Sequence, residues 1–124
     1  MKVLLSIKPE YAEKILDGEK KYEFRRTVFR DTSIKKVVIY ASSPIKRVIG
    51  EFEIDSIIAL GIDALWKKTM HCAGIEKDFY YNYFYGKKIG YAIKVKKTRR
   101  YRKHIGLNEL NVKYPPQSFL YLTA

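Results

Sequence analysis

A single cysteine, Cys72, stands in this chain, so no intrachain disulfide can form. A reducing cytoplasm is the compartment that this implies. Glutamine occurs once, as Gln117, and asparagine three times, against many Lys, Ile and Tyr. That scarcity of heat-labile amides leans toward a thermophilic source. One cysteine and two histidines cannot build a four-ligand zinc set, and His71 and Cys72 on a helix would diverge by about 100°. No metal and no cofactor is therefore expected. A Gly-rich phosphate loop and a G-x-S-x-G motif are both absent. The first apolar run has only the five residues between Lys2 and Lys8, too short for a signal-peptide core or a membrane span. No segment pairs a long apolar helical stripe with a basic face, so no membrane partner is expected. Acid is missing too: Phe79 to Asn108 holds nine Lys or Arg and no Asp or Glu.

What is present is positive charge. Lys and Arg number 25 against 13 Asp and Glu, a net charge of +12 with a pI of about 9.7. Such an excess speaks of partners, and nucleic acid is the commonest polyanion. With 47% hydrophobic residues the chain can bury a core, and 124 residues without repeat or linker read as one domain, 1–124. The oligomeric state is not legible.

Periodicity gives the element order β-α-β-β-β-α-α-β-β. "VLLSI" (3–7) is a strand. Pro9 suits a first helical turn, Tyr11, Ile15 and Leu16 share a stripe, and Gly18 ends the helix. "KYEFRR" alternates, with Tyr22 and Phe24 on one face and Glu23 and Arg25 on the other. "KKVVIYAS" and "RVIGEFEI" are strands about a turn at Ser43-Pro44. "GIDALWKKTMHC" is amphipathic, with Ile62, Leu65, Trp66, Thr69 and Cys72 along one stripe. "EKDFYYNYFY" is a further helix. "KIGYAIKV" places Ile89, Tyr91, Ile93 and Val95 on one face, and "SFLYL" follows Pro115-Pro116. Adjacent strands favour a mostly antiparallel sheet, which six short strands can close into a small barrel flanked by two or three helices.

Four stretches carry candidate chemistry. In "GEKKYEFRR", Lys20, Glu23 and Arg25 can line a cleft that grips phosphate or a carbonyl, with Arg26 beside them and Glu23 positioning the arginine or acting as a base. The plain alternative is a solvated strand whose charges pair across the sheet. In "FYYNYFY", six aromatics in seven residues cannot all be core; Phe79, Tyr83 and Phe84 are expected to pack inward, leaving Tyr80, Tyr81 or Tyr85 to stack on a base. "KKTRRYRKH" (96–104), with Lys97, Arg99, Arg100 and Arg102, is either a phosphate-tracking rim or a solvated loop. "YASSPIK" and "PPQS" offer Ser42, Ser43, Lys46, Gln117 and Ser118 as rim contacts, or only as turn-forming groups.

The pattern G-x-K-x-x-E-x-R formed by Gly18, Lys20, Glu23 and Arg25 resembles the signature of the ASCH domain family, within the PUA-like superfamily. Blocks on both sides are similar too: "LLSIKPEYAEKILDGEKKYEFRR", "YASSPIKRVIGEFEI", "YYNYFYGKKIGYAIKV" and "PPQSFLYL". The resemblance covers nearly the whole chain in consistent order. It implies an α+β fold, a PUA-like barrel with a cleft beside the motif strand, RNA binding there, and a part in translation-coupled or transcriptional regulation. One branch of similar proteins hydrolyses the acetyl amide of N4-acetylcytidine with a lysine, a threonine and a glutamate. Lys20 matches that lysine, but Glu23 stands where the threonine would be. A ribonuclease activity is also proposed within the family, with cleft Lys, Arg and Tyr implicated.

The expectation is thus an RNA- or nucleotide-binding protein. Lys20 and Arg25 would contact phosphate or base and Glu23 would orient them. One or more of Tyr80, Tyr81 and Tyr83 would stack on a base. The rival is a ribonuclease or nucleoside-modifying hydrolase in which Lys20 and Glu23 are catalytic. Single-stranded RNA or a modified nucleotide is the expected partner, with DNA the weaker alternative because no helix-turn-helix can be read.

Overall fold

The computed structural model describes residues 1–123. Six strands and three helices follow in the expected order: β1 (Lys2–Ile7), α1 (Pro9–Leu16), β2 (Tyr22–Arg25), β3 (Lys36–Ala41), β4 (Arg47–Gly61), α2 (Ile62–Thr69), α3 (Lys77–Tyr83), β5 (Ile89–Ile105) and β6 (Phe119–Leu122). They build one α+β sheet in the order β2-β5-β4-β3-β1-β6. β1 and β3 run parallel; every other neighbouring pair is antiparallel.

The apolar runs of β1 and β3 have a physical reason: both strands are covered on both faces. Val3, Leu5 and Ile7 join Val37, Ile39 and Ala41 beneath Ala12, Ile15 and Leu16 of α1. Leu4, Val38 and Tyr40 pack on the opposite face with Val48 and Val112. A third cluster lies under α2 and α3, where Leu65, Tyr80 and Phe84 cover Tyr22, Phe24 and Ala92. Each fully buried large apolar side chain contributes roughly 1.5–3 kcal/mol. Gly50 is fixed by close approach, since a Cβ there would lie 2.7 Å from the Arg99 carbonyl and 2.9 Å from Leu16. That gap lets α1 sit directly on β4.

Several expectations are corrected. The sheet does not close into a barrel by main-chain pairing: among the described residues, β2 and β6 remain its two edges. The gap between them is spanned by a side chain instead, as described below. The alternation in β5 also differs. Ile89 is 48% exposed, whereas Gly90, Ala92 and Ile93 are buried, because helices cover β5 from both sides. The arm "KKTRRYRKH" is ordered strand, not loop, and pairs with β4 as far as Val48↔Ile105. β4 itself runs beyond the expected stretch to Gly61, where it passes directly into α2.

Candidate functional site

Lys20 follows α1, just past Gly18, whose φ of +88° turns the chain back toward the sheet. Its backbone N–H donates to the Lys14 carbonyl, and that of Lys21 donates to the Cys72 carbonyl. These bonds aim the Lys20 side chain inward, where it is 2% exposed. The Nζ donates a 2.7 Å hydrogen bond to the Ala73 carbonyl. It lies 4.8 Å from the centroid of the Phe24 ring and 5.6 Å from that of Tyr11. Gly74, with φ +70°, lies against the lysine stem, and a Cβ there would run into it. Burial pushes the Lys20 ammonium down to about 8; the negative charge of Glu23 opposes this and Lys14 adds to it.

Glu23 and Arg25 sit two apart on β2 and so share a face. The arginine donates to the Glu23 carboxylate at 3.2 Å. Its other donors cross the sheet gap, one to the Ser118 carbonyl at 2.6 Å just ahead of β6, the other to the Ser6 carbonyl at 3.4 Å on β1. Arg25 therefore closes by side chain the seam that the backbone leaves open.

Between these groups lies a cleft of about 210 Å³. Lys8, Lys20 and Arg25 bring three cationic groups to it against the one carboxylate of Glu23, and Tyr11, Phe24, Phe79, Tyr83, Ser6, Ile7 and Ile75 complete the walls. The Tyr83 hydroxyl is raised by burial; Arg25 opposes that and Glu23 reinforces it. Tyr11 is raised as well, by burial and then by Glu10. The cleft is narrow, apolar on its sides and positive at its base. Such a hollow suits a planar group attached to an anion. A lysine near 8 also has both protonation states within reach at neutral pH, as acid–base chemistry requires.

Of the expected site residues, Lys20, Glu23, Arg25 and Tyr83 meet here. Tyr80 does not: it is fully buried, and its hydroxyl donates to the Ile62 carbonyl at 2.7 Å. With no exposed ring face it belongs to the core under α2. Tyr81 lies outside and donates to the Asp63 carboxylate at 2.7 Å. Arg26 turns away to the end of α3, where it donates to the carbonyls of Tyr83 and Tyr85. There it satisfies carbonyls that the helix leaves open. Ser118 stands at the seam, its hydroxyl 3.3 Å from that of Thr27, with Gln117 exposed beside it. The Ser42 N–H donates to the Ile7 carbonyl, and Ser43 is exposed on the same turn. Lys46 lies at another hollow. Lys97, Arg99, Arg100 and Arg102 lie on the β5 arm. Arg100 pairs with Glu13 at 2.6 Å and Glu53 of β4 stands opposite Lys97, whereas the Glu51 carboxylate opposite Arg99 is held by Lys2 and Lys36 at 3.2 and 3.4 Å.

Lys8, Tyr11, Phe79 and Ser6 were not legible as site residues. The sequence carried one usable signal for them, the junction of β1 and α1 at Lys8-Pro9, which must open beside the motif strand. Among the described residues no group of His, Cys, Asp and Glu is placed to hold a metal ion, and no helix is long and apolar enough to cross a membrane.

The mixed six-stranded sheet with its three helices is a fold shared with a known family. The chain belongs to the ASCH domain family, whose model matches residues 5–104. It is 30% identical over 122 residues to the ASCH domain-containing ribonuclease of Zymomonas mobilis, covering 96% of this chain and 82% of that protein. The crystal structure of ASCH from Zymomonas mobilis superposes with a TM-score of 0.89 at 30% identity, over 98% of this chain and 87% of that one. The chain is also 32% identical over 121 residues to the large ribosomal subunit protein uL22 of Ureaplasma parvum. That match covers 97% of this chain but spans only 39% of the ribosomal protein's length.

Proposed function

We propose that this chain binds single-stranded RNA, seats one nucleotide in the Lys20 cleft, and cleaves the phosphodiester beside it. The observation that carries this reading is Lys20 itself, a buried lysine brought to about 8 at the base of a positive cleft of about 210 Å³. The likeness to a protein named as a ribonuclease supports it, and so does the net charge of +12.

The step is an intramolecular transesterification. The ribose 2′-oxygen attacks the adjacent phosphorus, the new 2′-O–P bond forms as the P–O5′ bond breaks, and a 2′,3′-cyclic phosphate and a 5′-hydroxyl result. Glu23 takes the 2′-hydroxyl proton. The Lys20 ammonium stabilises the charge on phosphorus and gives a proton to the departing O5′. Arg25 holds Glu23 in place. A threonine nucleophile for amide hydrolysis has no counterpart in the cleft. A role in regulating translation or transcription fits an RNA cutter as well as an RNA binder.

One observation favours binding without turnover: the Lys20 Nζ already donates to the Ala73 carbonyl. The test is incubation of the pure protein with an end-labelled oligoribonucleotide, alongside Lys20→Met, Glu23→Gln and a substrate carrying one 2′-deoxy position. Cleavage is expected to stop at the 2′-deoxy position and to fall at least about 100-fold in both variants. Tight binding by the wild type with no cleavage leaves a binding module. Cleavage that survives both substitutions removes the cleft from the chemistry.

A further inference from the structure

Beyond the cleft, a broader hollow of about 770 Å³ opens where the β3–β4 turn meets the segment after β5. Its floor is Tyr40, Leu107 and Val112, of which Tyr40 and Val112 are buried. Lys46, Arg47 and Lys113 stand on its rim, all exposed. Among the described residues none of the three is in an ion pair with a carboxylate. The carboxylate that does line the hollow, Glu109, accepts the Gly106 backbone N–H at 3.0 Å. The Arg47 guanidinium is steadied by one bond to the Lys46 carbonyl and keeps its other donors free.

The backbone gives an independent sign. Among the described residues, two that are not glycine have positive φ, Lys46 at 54° and Asn111 at 59°. Both line this hollow; Asn111 is the ordinary left-handed cap of the short helical turn Leu107–Leu110, so the lysine is the one that stands out. For a lysine that conformation costs on the order of 1 kcal/mol, and such outliers gather where a surface is shaped for a ligand. The hollow and the cleft are separate, with no lining residue in common, but one backbone bond links the turn of the first to the wall of the second. The Ser42 N–H that begins the Lys46 turn donates to the Ile7 carbonyl, and Ile7 lines the Lys20 cleft.

The geometry points to an exosite: a strand of single-stranded RNA that has one nucleotide in the Lys20 cleft continues over the Ser42–Pro44 turn and lays its backbone phosphates against Arg47, Lys46 and Lys113. This rests on the reading that RNA occupies the cleft. The unpaired cations supply phosphate contacts and the apolar floor accepts a stacked base. Chain length, not only base identity, then decides affinity.

The test compares a trinucleotide with a dodecamer by fluorescence anisotropy across a salt series, using the wild type, Arg47→Gln/Lys113→Gln and Lys20→Met. For the double variant the dodecamer is expected to lose about tenfold in affinity, with the slope of log K against log salt shallower by about 1.4, two single-strand phosphate contacts. The trinucleotide is expected to bind it as it binds the wild type. Lys20→Met is expected to weaken both ligands. An unchanged dodecamer, or equal losses for both lengths, overturns the exosite while the Lys20 result still judges the cleft. A wild type that binds neither oligonucleotide overturns both readings.

Discussion

The Arg25 guanidinium on one edge strand of the sheet donates a 2.6 Å hydrogen bond to the Ser118 carbonyl at the opposite edge. The same side chain holds the Glu23 carboxylate at 3.2 Å, and both groups are largely buried. One residue thus closes the sheet seam and neutralises the Glu23 carboxylate in the cleft. Removing it strands a buried carboxylate and frees the turn before β6. Arg25→Met is expected to lower the unfolding free energy by about 3–5 kcal/mol, measured by urea denaturation at pH 7. Adding Glu23→Gln to Arg25→Met should recover part of that loss, since the stranded charge goes with it. A double variant as weak as the sum of the two singles would show that Arg25 acts through the seam alone.

Lys20 gives the fold a pH dependence of definite sign. Its folded value, about 8, lies below the ordinary 10.5. Between those two values the unfolded chain holds a proton that the folded chain has released. Stability contributed by this group is therefore lowest below pH 8 and rises as pH climbs toward 10.5. The full rise is about 3 kcal/mol. Buried tyrosines raised by the fold act in the opposite sense, so the Lys20 part appears only as a difference. Wild type minus Lys20→Met, followed by denaturant unfolding from pH 7 to 10, should increase with pH. A flat difference would mean that Lys20 keeps an ordinary affinity for its proton in the folded state. The ribonuclease reading adds a kinetic counterpart: cleavage should fall above about pH 8, where Lys20 loses the proton it donates.

The element order could be read in the sequence because local signals specify it, whereas a cleft beside the motif strand was implied only by the family resemblance. Pro9 and Gly18 bound α1, alternation marks β2, and positions 23 and 25 of one strand must share a face. The rotation of α3 was not legible. Its seven residues are nearly all aromatic or polar without a stripe, so no periodicity says which ring turns inward. Only the packing partners, Leu65, Ala92 and Trp66, put Tyr80 and Phe84 in the core and leave Phe79 and Tyr83 to the cleft. The surroundings of the basic arm were not legible for a different reason. Phe79–Asn108 is free of acid along the chain, but β4 lies alongside and carries Glu53 and Asp55, the latter paired with Lys94, while α1 offers Glu13 to Arg100. Linear charge patterning cannot see across a sheet. The barrel, in turn, depends on whether β2 reaches β6, a distance set by how the whole sheet curls.

The rotation of α3 separates two aromatic roles that neighbour each other in sequence. Tyr80→Phe removes a buried hydroxyl and leaves the Ile62 carbonyl without its 2.7 Å donor. The expected cost is about 1–3 kcal/mol of stability, with RNA affinity unchanged. Phe79 is 36% exposed and its ring lies 5.5 Å from that of Tyr11 at the cleft mouth. The Lys8 ammonium stands 5.3 Å from the same ring. Phe79→Ala is expected to weaken RNA binding by about 1–3 kcal/mol, the usual loss for one stacked base, and to leave the unfolding midpoint closer to wild type than Tyr80→Phe does. Thermal melts and oligonucleotide titrations on the two variants read both effects. If Tyr80→Phe weakened binding while the melting temperature held, the ring would have to reach the ligand through a rearranged α3, and the cleft walls would need to be redrawn around it.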